Sequence, residues 1–441
     1  MSIRSISPLD GRYARQVEDL GEHVSEWALV RARVRVEVEW LLVLAPRLDA
    51  APLRALYEAF SDEDAEAVKA IERRTNHDVK AVEYFLRERV PAEVRELLHF
   101  GLTSEDVNNL SYALMLQGAM RDAWRPAAEE LVAGVAALAE STRAVPLLSR
   151  THGQPATPTT FGKEMAVFVA RWRRQLEQLD RQEYRGKLNG AVGTYGALAV
   201  ARPEVDWQDV SRRFVESLGL EWSPLTTQIE PHDWIAELFG LLARFNAILV
   251  DFDRDVWAYV SRGLVRQRPV AGEVGSSTMP HKVNPIDFEN SEANAGVSSA
   301  LALHMAQTLP ISRLQRDLSD SSLLRNGGVV VGHSLLAVRS ALRGLGKISV
   351  DEAALAAELD DAWEVLAEAV QTVMRKRGGD DPYEQLKALT RGAGIDRERL
   401  REFVAAADLD EEDRARLLAL TPAAYTGLAE RLVDHISGDG A

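Results

Sequence analysis

The chain has 441 residues, 46% hydrophobic and 27% charged, with a formal charge of −15 and no cysteine. That composition fits a soluble globular protein of two or three domains. It excludes disulfides and thiolate metal sites, and it argues against holding nucleic acid or an anionic membrane by bulk charge. The opening MSIRSISPLDGRY carries no apolar signal-type segment, and no run of about 18 apolar residues occurs, so the expected location is the cytoplasm.

Helical periodicity dominates from the start. Residues 1–100 read as shorter helices broken near Pro46, Pro52 and Pro91. Within them TNHDVKAVE (75–83) sets three polar side chains side by side, Asn76, His77 and Asp78. LTSEDVNN (102–109) reads as a helix start, with Thr103 and Ser104 at the cap and Asp106 in the first turn. A helix start is also an anion site, so capping and binding can coexist there.

Residues 101–345 hold the long helices. Residues 122–143 form the first. SRTHGQPATPTT (149–160) then puts His152 on a proline-limited loop, where an imidazole can be aimed into a cavity. The helix behind it carries the seam Met165, Phe168, Trp172, Leu176 and Leu179. AVGTYGALAV (191–200) and the run 329–331 suit either a strand or a buried helix. The clearest seam runs Trp234, Leu238, Leu241, Phe245, Ile248, Phe252 and Val256. A segment of roughly 28 residues spans about 42 Å, longer than an ordinary globular helix, and such a face calls for partners.

GEVGSSTMPHKVNPIDFENSE (272–292) interrupts this pattern. Gly272 and Gly275 loosen the backbone, Pro280 and Pro285 restrict it, and Asn284 and Asp287 suit the start of a helix near Ile286. Ser276, Ser277 and Lys282 sit between, an arrangement fit for a lid delivering a hydroxyl and a cation. SRLQRDLSDSSLLRN (312–326) concentrates Arg313, Arg316 and Arg325 with Ser319, Ser321 and Ser322, suited to phosphate or carboxylate, or to ion pairs with Asp317 and Asp320. Beyond residue 346 come short charged helices, a break near Gly378 and Gly379, and a tail, SGDGA, expected to be disordered. No H-E-x-x-H, P-loop or G-x-G-x-x-G motif is present, and the serine pair fails the nucleophile-elbow pattern.

Singly, each constellation has a bland reading as a cap, a surface loop or a surface ion pair. Together they resemble one family. GSSTMPHKVNP meets every fixed position of the signature G-S-S-x-M-P-x-K-x-N-P of the fumarase/aspartase superfamily. SRTHGQPATPTT, SPLDGRY (7–13), TNHDVKAVEYFL (75–86), TTQIEPHD (226–233), KVNPIDFEN and the arginine segment resemble its adenylosuccinate lyase branch, in the bacterial form. The similarity runs from about residue 7 to 430 and is closest before residue 345.

The resemblance implies an all-α, three-domain subunit, divided at 1–100, 101–345 and 346–441. It implies a homotetramer with a twenty-helix core and active sites shared between subunits. It implies reversible elimination of fumarate from adenylosuccinate, giving AMP, and from SAICAR, giving AICAR, in purine biosynthesis, with no cofactor or metal. By carry-over Ser276 is the general base and His152 the general acid. Lys282, Asn284, Ser277 and the backbone at Val283 hold the reacting carboxylate. Thr103 and Ser104 bind the fumarate portion, and Asn76, His77 and Asp78 lie near the reacting centre. Gln228 and Asn290 are further polar contacts. Arg12, Tyr13, Arg316, Ser321 and Arg325 grip phosphate and ribose. The rivals are argininosuccinate lyase, aspartase or fumarase within the superfamily, and a non-catalytic helical scaffold outside it.

Overall fold

The computed structural model describes residues 3–269, 279, 282–378, 381–390 and 395–437, with backbone alone at 388–390. Ser276, Ser277, Gly272, Gly275, Pro280, Gly379 and the last four residues of the tail lie outside them. Helices build the fold. Among the described residues, strands are only two or three residues long and pair in two-stranded ladders. The longest helices among the described residues are Glu26–Leu44, Phe161–Asp180, Asp233–Ser261, Ile286–Thr308 and Gly327–Leu345, with Arg125–Ser141 next. Every residue of the two sequence seams is buried. The run 329–331 is helix. The 191–200 segment is a turn followed by the short helix Gly196–Ala201, because Gly190, Gly193 and Tyr195 take positive φ and break any strand.

Pro52, expected as a breaker, lies inside Ala50–Glu58, in its first turn, where the missing N–H costs no helical hydrogen bond. Pro126 is different. It cannot donate to the carbonyl of Asp122, and the chain answers with a π-helical turn, Met120–Trp124, in which Arg125 N–H bonds Met120 O. Ser104–Ala119, this turn and Arg125–Ser141 follow without a break.

The backbone divides into two compact units. One contains residues 1–129, 175–250 and 290–340. Its N-terminal core packs Val34, Val38 and Leu41 against Phe60, Val82 and Phe85. Elsewhere in this unit Trp124 meets Phe245 edge-on at 4.8 Å. The Trp124 indole N–H donates to Ser334 Oγ at 2.8 Å, Ser334 to Asn246 Oδ1 at 2.8 Å, and Asn246 to Ser298 Oγ at 3.1 Å. A fully buried polar chain of this kind defines which helical faces meet, since slippage would strand its donors.

The other unit contains residues 130–174, 251–289 and 341–441. Phe252 is its aromatic centre, 5.5 Å from Phe168, 5.5 Å from Trp172 and 6.1 Å from Phe288. A separate cluster of Leu366, Val370, Leu400 and Val404 holds the C-terminal helices. Half-buried Asp255 lies among acids: burial first, then Asp251 and Glu164, push its pKa up from 3.8 to about 6. A raised carboxylate pKa means that the protonated form suits the fold. Asp255 therefore favours folding below its unfolded pKa, and that benefit is lost as pH rises through about 6. Asp255→Asn should be more stable than wild type at neutral pH by about 1 kcal/mol, once solvent screening is allowed for. Thermal melts across pH check this, and the gap should close in acid.

Candidate active site

In the first unit one helical stripe organises the polar residues. Arg33, Glu37 and Trp40 stand four and three residues apart on Glu26–Leu44, hence on one face. Arg33, almost fully buried, donates to Asp78 Oδ2 at 2.8 Å and to Asn108 Oδ1 at 2.9 Å. Glu37, fully buried, accepts from the backbone N–H of His99 at 3.0 Å and lies 2.6 Å from its ring Nδ1. Trp40 donates to Phe100 O at 3.0 Å. Burial opposes an imidazolium at His99, but the Glu37 carboxylate outweighs it and lifts the pKa above the ordinary value. His99 also holds a positive φ of 55°, a conformation that its two bonds to Glu37 stabilise.

Asn76 and His77 form the whole link between two helices. Asn76 closes Asp62–Thr75 in the left-handed conformation. His77 opens Asp78–Arg87, its Nδ1 accepting from Lys80 N–H at 3.2 Å. Asp78 then receives Arg325 at 3.1 Å beside Arg33. Burial would raise the Asp78 pKa, but Arg33, the Val79 N–H and Arg325 hold it below the usual carboxylate value.

From Arg33 the chain of contacts continues. Asn108 donates to Glu105 Oε1 at 2.8 Å, and Glu105 takes Arg316 at 2.9 Å. Arg316 lies 3.6 Å from Asp320, whose other oxygen lies 3.6 Å from His232. The segments 76–78, 102–109, 226–233 and 312–326 thus share one polar network. Arg316 Nε is buried with no hydrogen-bond partner among the described residues. Arg313 is different: it is exposed and paired to Asp317 at 3.1 Å, the bland reading of this segment. Ser321 is half-buried, one residue beyond Asp320.

Thr103 is the N-cap of Ser104–Ala119, and Asp106 Oδ2 accepts the Thr103 N–H at 2.8 Å. Asp106 Oδ1 also takes Asn189 N–H at 2.9 Å and Lys187 Nζ at 2.9 Å, with Asp106 and Lys187 both at 0% exposure. This hub ties the helix start to 187–190. From there Asn189 donates to Thr226 Oγ1 at 2.8 Å and Gln228 to Ala191 O at 2.9 Å. Elsewhere in the unit Asn290 Nδ2 donates to the Tyr13 hydroxyl at 3.0 Å, and the Arg12 guanidinium lies 5.9 Å from the Tyr13 ring.

In the second unit, Arg150–Thr151 and Gln154–Pro155 pair as an antiparallel hairpin. Its two-residue turn is His152-Gly153, with φ of 54° and 75°. Two positive φ values are the mark of a type I′ turn, whose twist matches paired strands. The hairpin presents the exposed imidazole at its tip. Lys282 and Val283 are exposed and Asn284 half-buried, with Lys282 N–H bonded to Met279 O at 3.0 Å.

Against known families, a model described as Lyase matches residues 11–298, and one described as Adenylosuccinate lyase C-terminal matches 312–426. Adenylosuccinate lyase of Escherichia coli (strain K12) is 53% identical, with 99% of each chain covered. Those of Vibrio cholerae and Haemophilus influenzae are 51% and 50% identical at the same coverage. The chain belongs to the adenylosuccinate lyase family. Solved structures share its fold at lower identity. A fumarate lyase from Mesorhizobium sp. BNC1 has a TM-score of 0.79 at 23% identity, covering 96% of this chain and 98% of its own. A 3-carboxy-cis,cis-muconate lactonizing enzyme from Pseudomonas putida has 0.75 at 22%, covering 96% of each.

For this adenylosuccinate lyase family member, the motifs supplied the polar surface of the first unit but not its supports. Arg33, Glu37, His99 and Lys187 were missed, and Glu105 and His232 stood inside the quoted segments 102–109 and 226–233 without a role. One signal was available: Arg33 and Glu37 are opposite charges four apart on the face that also carries Val30, Val34 and Leu41. Charges in an apolar stripe are buried only with partners. Lys187 offered no comparable cue.

Proposed function

We propose that the chain cleaves adenylosuccinate to AMP and fumarate, and SAICAR to AICAR and fumarate, by general acid and base catalysis. The observation carrying this is identity of about half over 99% of relatives named adenylosuccinate lyase. The reaction takes a proton from the carbon next to a carboxylate and expels a nitrogen from the adjoining carbon. His152 protonates that nitrogen, and Ser276 takes the carbon proton. Lys282, Asn284, Ser277 and the Val283 backbone stabilise the doubly charged aci-carboxylate where it forms. Thr103 and Ser104 receive the fumarate portion at their helix start. Asn76, His77, Asp78, Gln228 and Asn290 orient the substrate. Arg12, Tyr13, Arg316, Ser321 and Arg325 take the phosphate and ribose. A cytoplasmic location and an active site without metal or cofactor belong to the same reading.

A homotetramer with shared sites also belongs to it. In the first unit Val297 and Leu303 on Ile286–Thr308, with Ile311, Leu314 and Leu318 beyond it, each leave a large apolar side chain exposed. Exposed apolar side chains of this size suit contact with another copy of the chain.

Fumarate release from adenylosuccinate, SAICAR and argininosuccinate, assayed side by side, tests the assignment. Activity on argininosuccinate alone would overturn it. Arg316→Ala should raise KM for adenylosuccinate by the roughly 1.5–3 kcal/mol of a charge-assisted phosphate contact. Unchanged KM and kcat in a folded variant would remove Arg316 from the site.

A further inference from the structure

We propose that Glu358, in the C-terminal helix Glu352–Asp360, is a positioning residue that aims the His152 hairpin and fixes it to the root of the segment leading toward Ser276. The proposal rests on the acid role given to His152 above. Two arginines converge on this one carboxylate, one on each oxygen. Arg150 Nη2 lies 3.6 Å from Oε1, and Arg262 Nη2 hydrogen-bonds Oε2. Arg150 is the hairpin's own residue, two before His152, and its other nitrogen donates to the carbonyl of Gly153 at 3.4 Å. Glu358 therefore reaches the turn through a single side chain.

Arg262 lies on the chain's approach to the segment that carries Ser276. It follows the last residue of Asp233–Ser261 and precedes the strand Val265–Gln267, three residues before residue 270 in the chain. That strand is tied to the same C-terminal region. It pairs with Ile348–Val350, Arg266 forms an ion pair with Asp351, the N-cap of the helix bearing Glu358, and Arg268 N–H bonds Lys347 O at 2.7 Å. A second strap reaches the hairpin's exit: Thr157 donates to Glu368, which also receives the Tyr425 hydroxyl at 3.4 Å. A two-residue turn is short and stiff, so its direction in space is set by what holds its strands. Arg150, shared between Glu358 and the turn carbonyl, supplies that hold.

Glu358→Gln keeps the size and removes the charge, and Arg150→Gln removes the charge from the hairpin side with a shorter side chain that also gives up the bond to Gly153 O. In both, kcat for adenylosuccinate should fall about 10- to 100-fold, the loss expected of a reacting group displaced by roughly 1 Å, with KM within about 2-fold of wild type. Glu358→Asp should recover part of the rate. The decisive reading is a double-mutant cycle. If Glu358 acts through His152, adding Glu358→Gln to His152→Asn will not lower the residual rate further. Should Glu358→Gln fail to fold, Arg150→Gln enters the same cycle. Full activity in a folded Glu358→Gln chain, or losses that multiply in the His152→Asn background, would overturn the proposal alone. A wild-type chain that releases no fumarate, or a fully active His152→Asn, would overturn the acid assignment and this proposal with it.

Discussion

Asparagine at position 152 will lower kcat for fumarate release by about 10²–10⁴-fold, the contribution of one proton-transferring group. Asparagine is a better choice than alanine because of the backbone. His152 sits at φ 54° in a two-residue turn, and Asn adopts the left-handed region more readily than other side chains. Thermal stability should therefore hold or rise slightly while the rate collapses. Steady-state kinetics beside a melting curve separate the two effects. A rate within a few-fold of wild type would leave the family's chemistry without its acid at this position.

Lys187→Met will cost about 3–5 kcal/mol of folding stability, the usual result of stripping the partner from a buried ion pair. Asp106 and Lys187 are 2.9 Å apart with no solvent exposure, so the variant leaves a buried carboxylate without its counter-charge. The Thr103, Asn189 and Gly190 N–H groups would remain on the carboxylate, yet they are dipoles facing a full charge. Urea unfolding measures the loss. Lys69→Met is the control: that lysine bridges Glu26 and Glu72 at a partly exposed surface, where such pairs are worth about 0–1 kcal/mol. Equal losses in the two variants would mean that the buried pair carries no special weight. Because Asp106 also organises the start of Ser104–Ala119, Lys187→Met should raise KM as well, through Thr103 and Ser104.

The long helices were legible because their seams repeat every three or four residues over many turns, and burial of one face dictates that spacing. The site motifs were legible for another reason. The stretches 149–160 and 272–285 are rich in glycine, proline and serine, residues that helices avoid, and they stand out in the sequence from the pattern around them. Their supports were hidden by the same logic in reverse. Arg33 and Glu37 sit in a perfectly ordinary helix, and only the third dimension shows that Asp78, Asn108 and His99 close on them. The turn at 190–195 was ambiguous because apolar and glycine residues mix there, and a hydrogen-bond hub at Asp106, distant in sequence, decides its path.

The π turn at 120–124 has an evolutionary corollary. A helix advances about 100° per residue, so one extra residue in a wide turn rotates the register of everything after it. That rotation lets the Trp124 indole find Ser334. Deleting Arg121 would return the rod to regular pitch and turn the indole aside, while Pro126 still denied Asp122 its donor. Proline and insertion are therefore a matched pair: lineages should gain or discard them together, and alignments that place a gap here opposite a retained proline are misregistered.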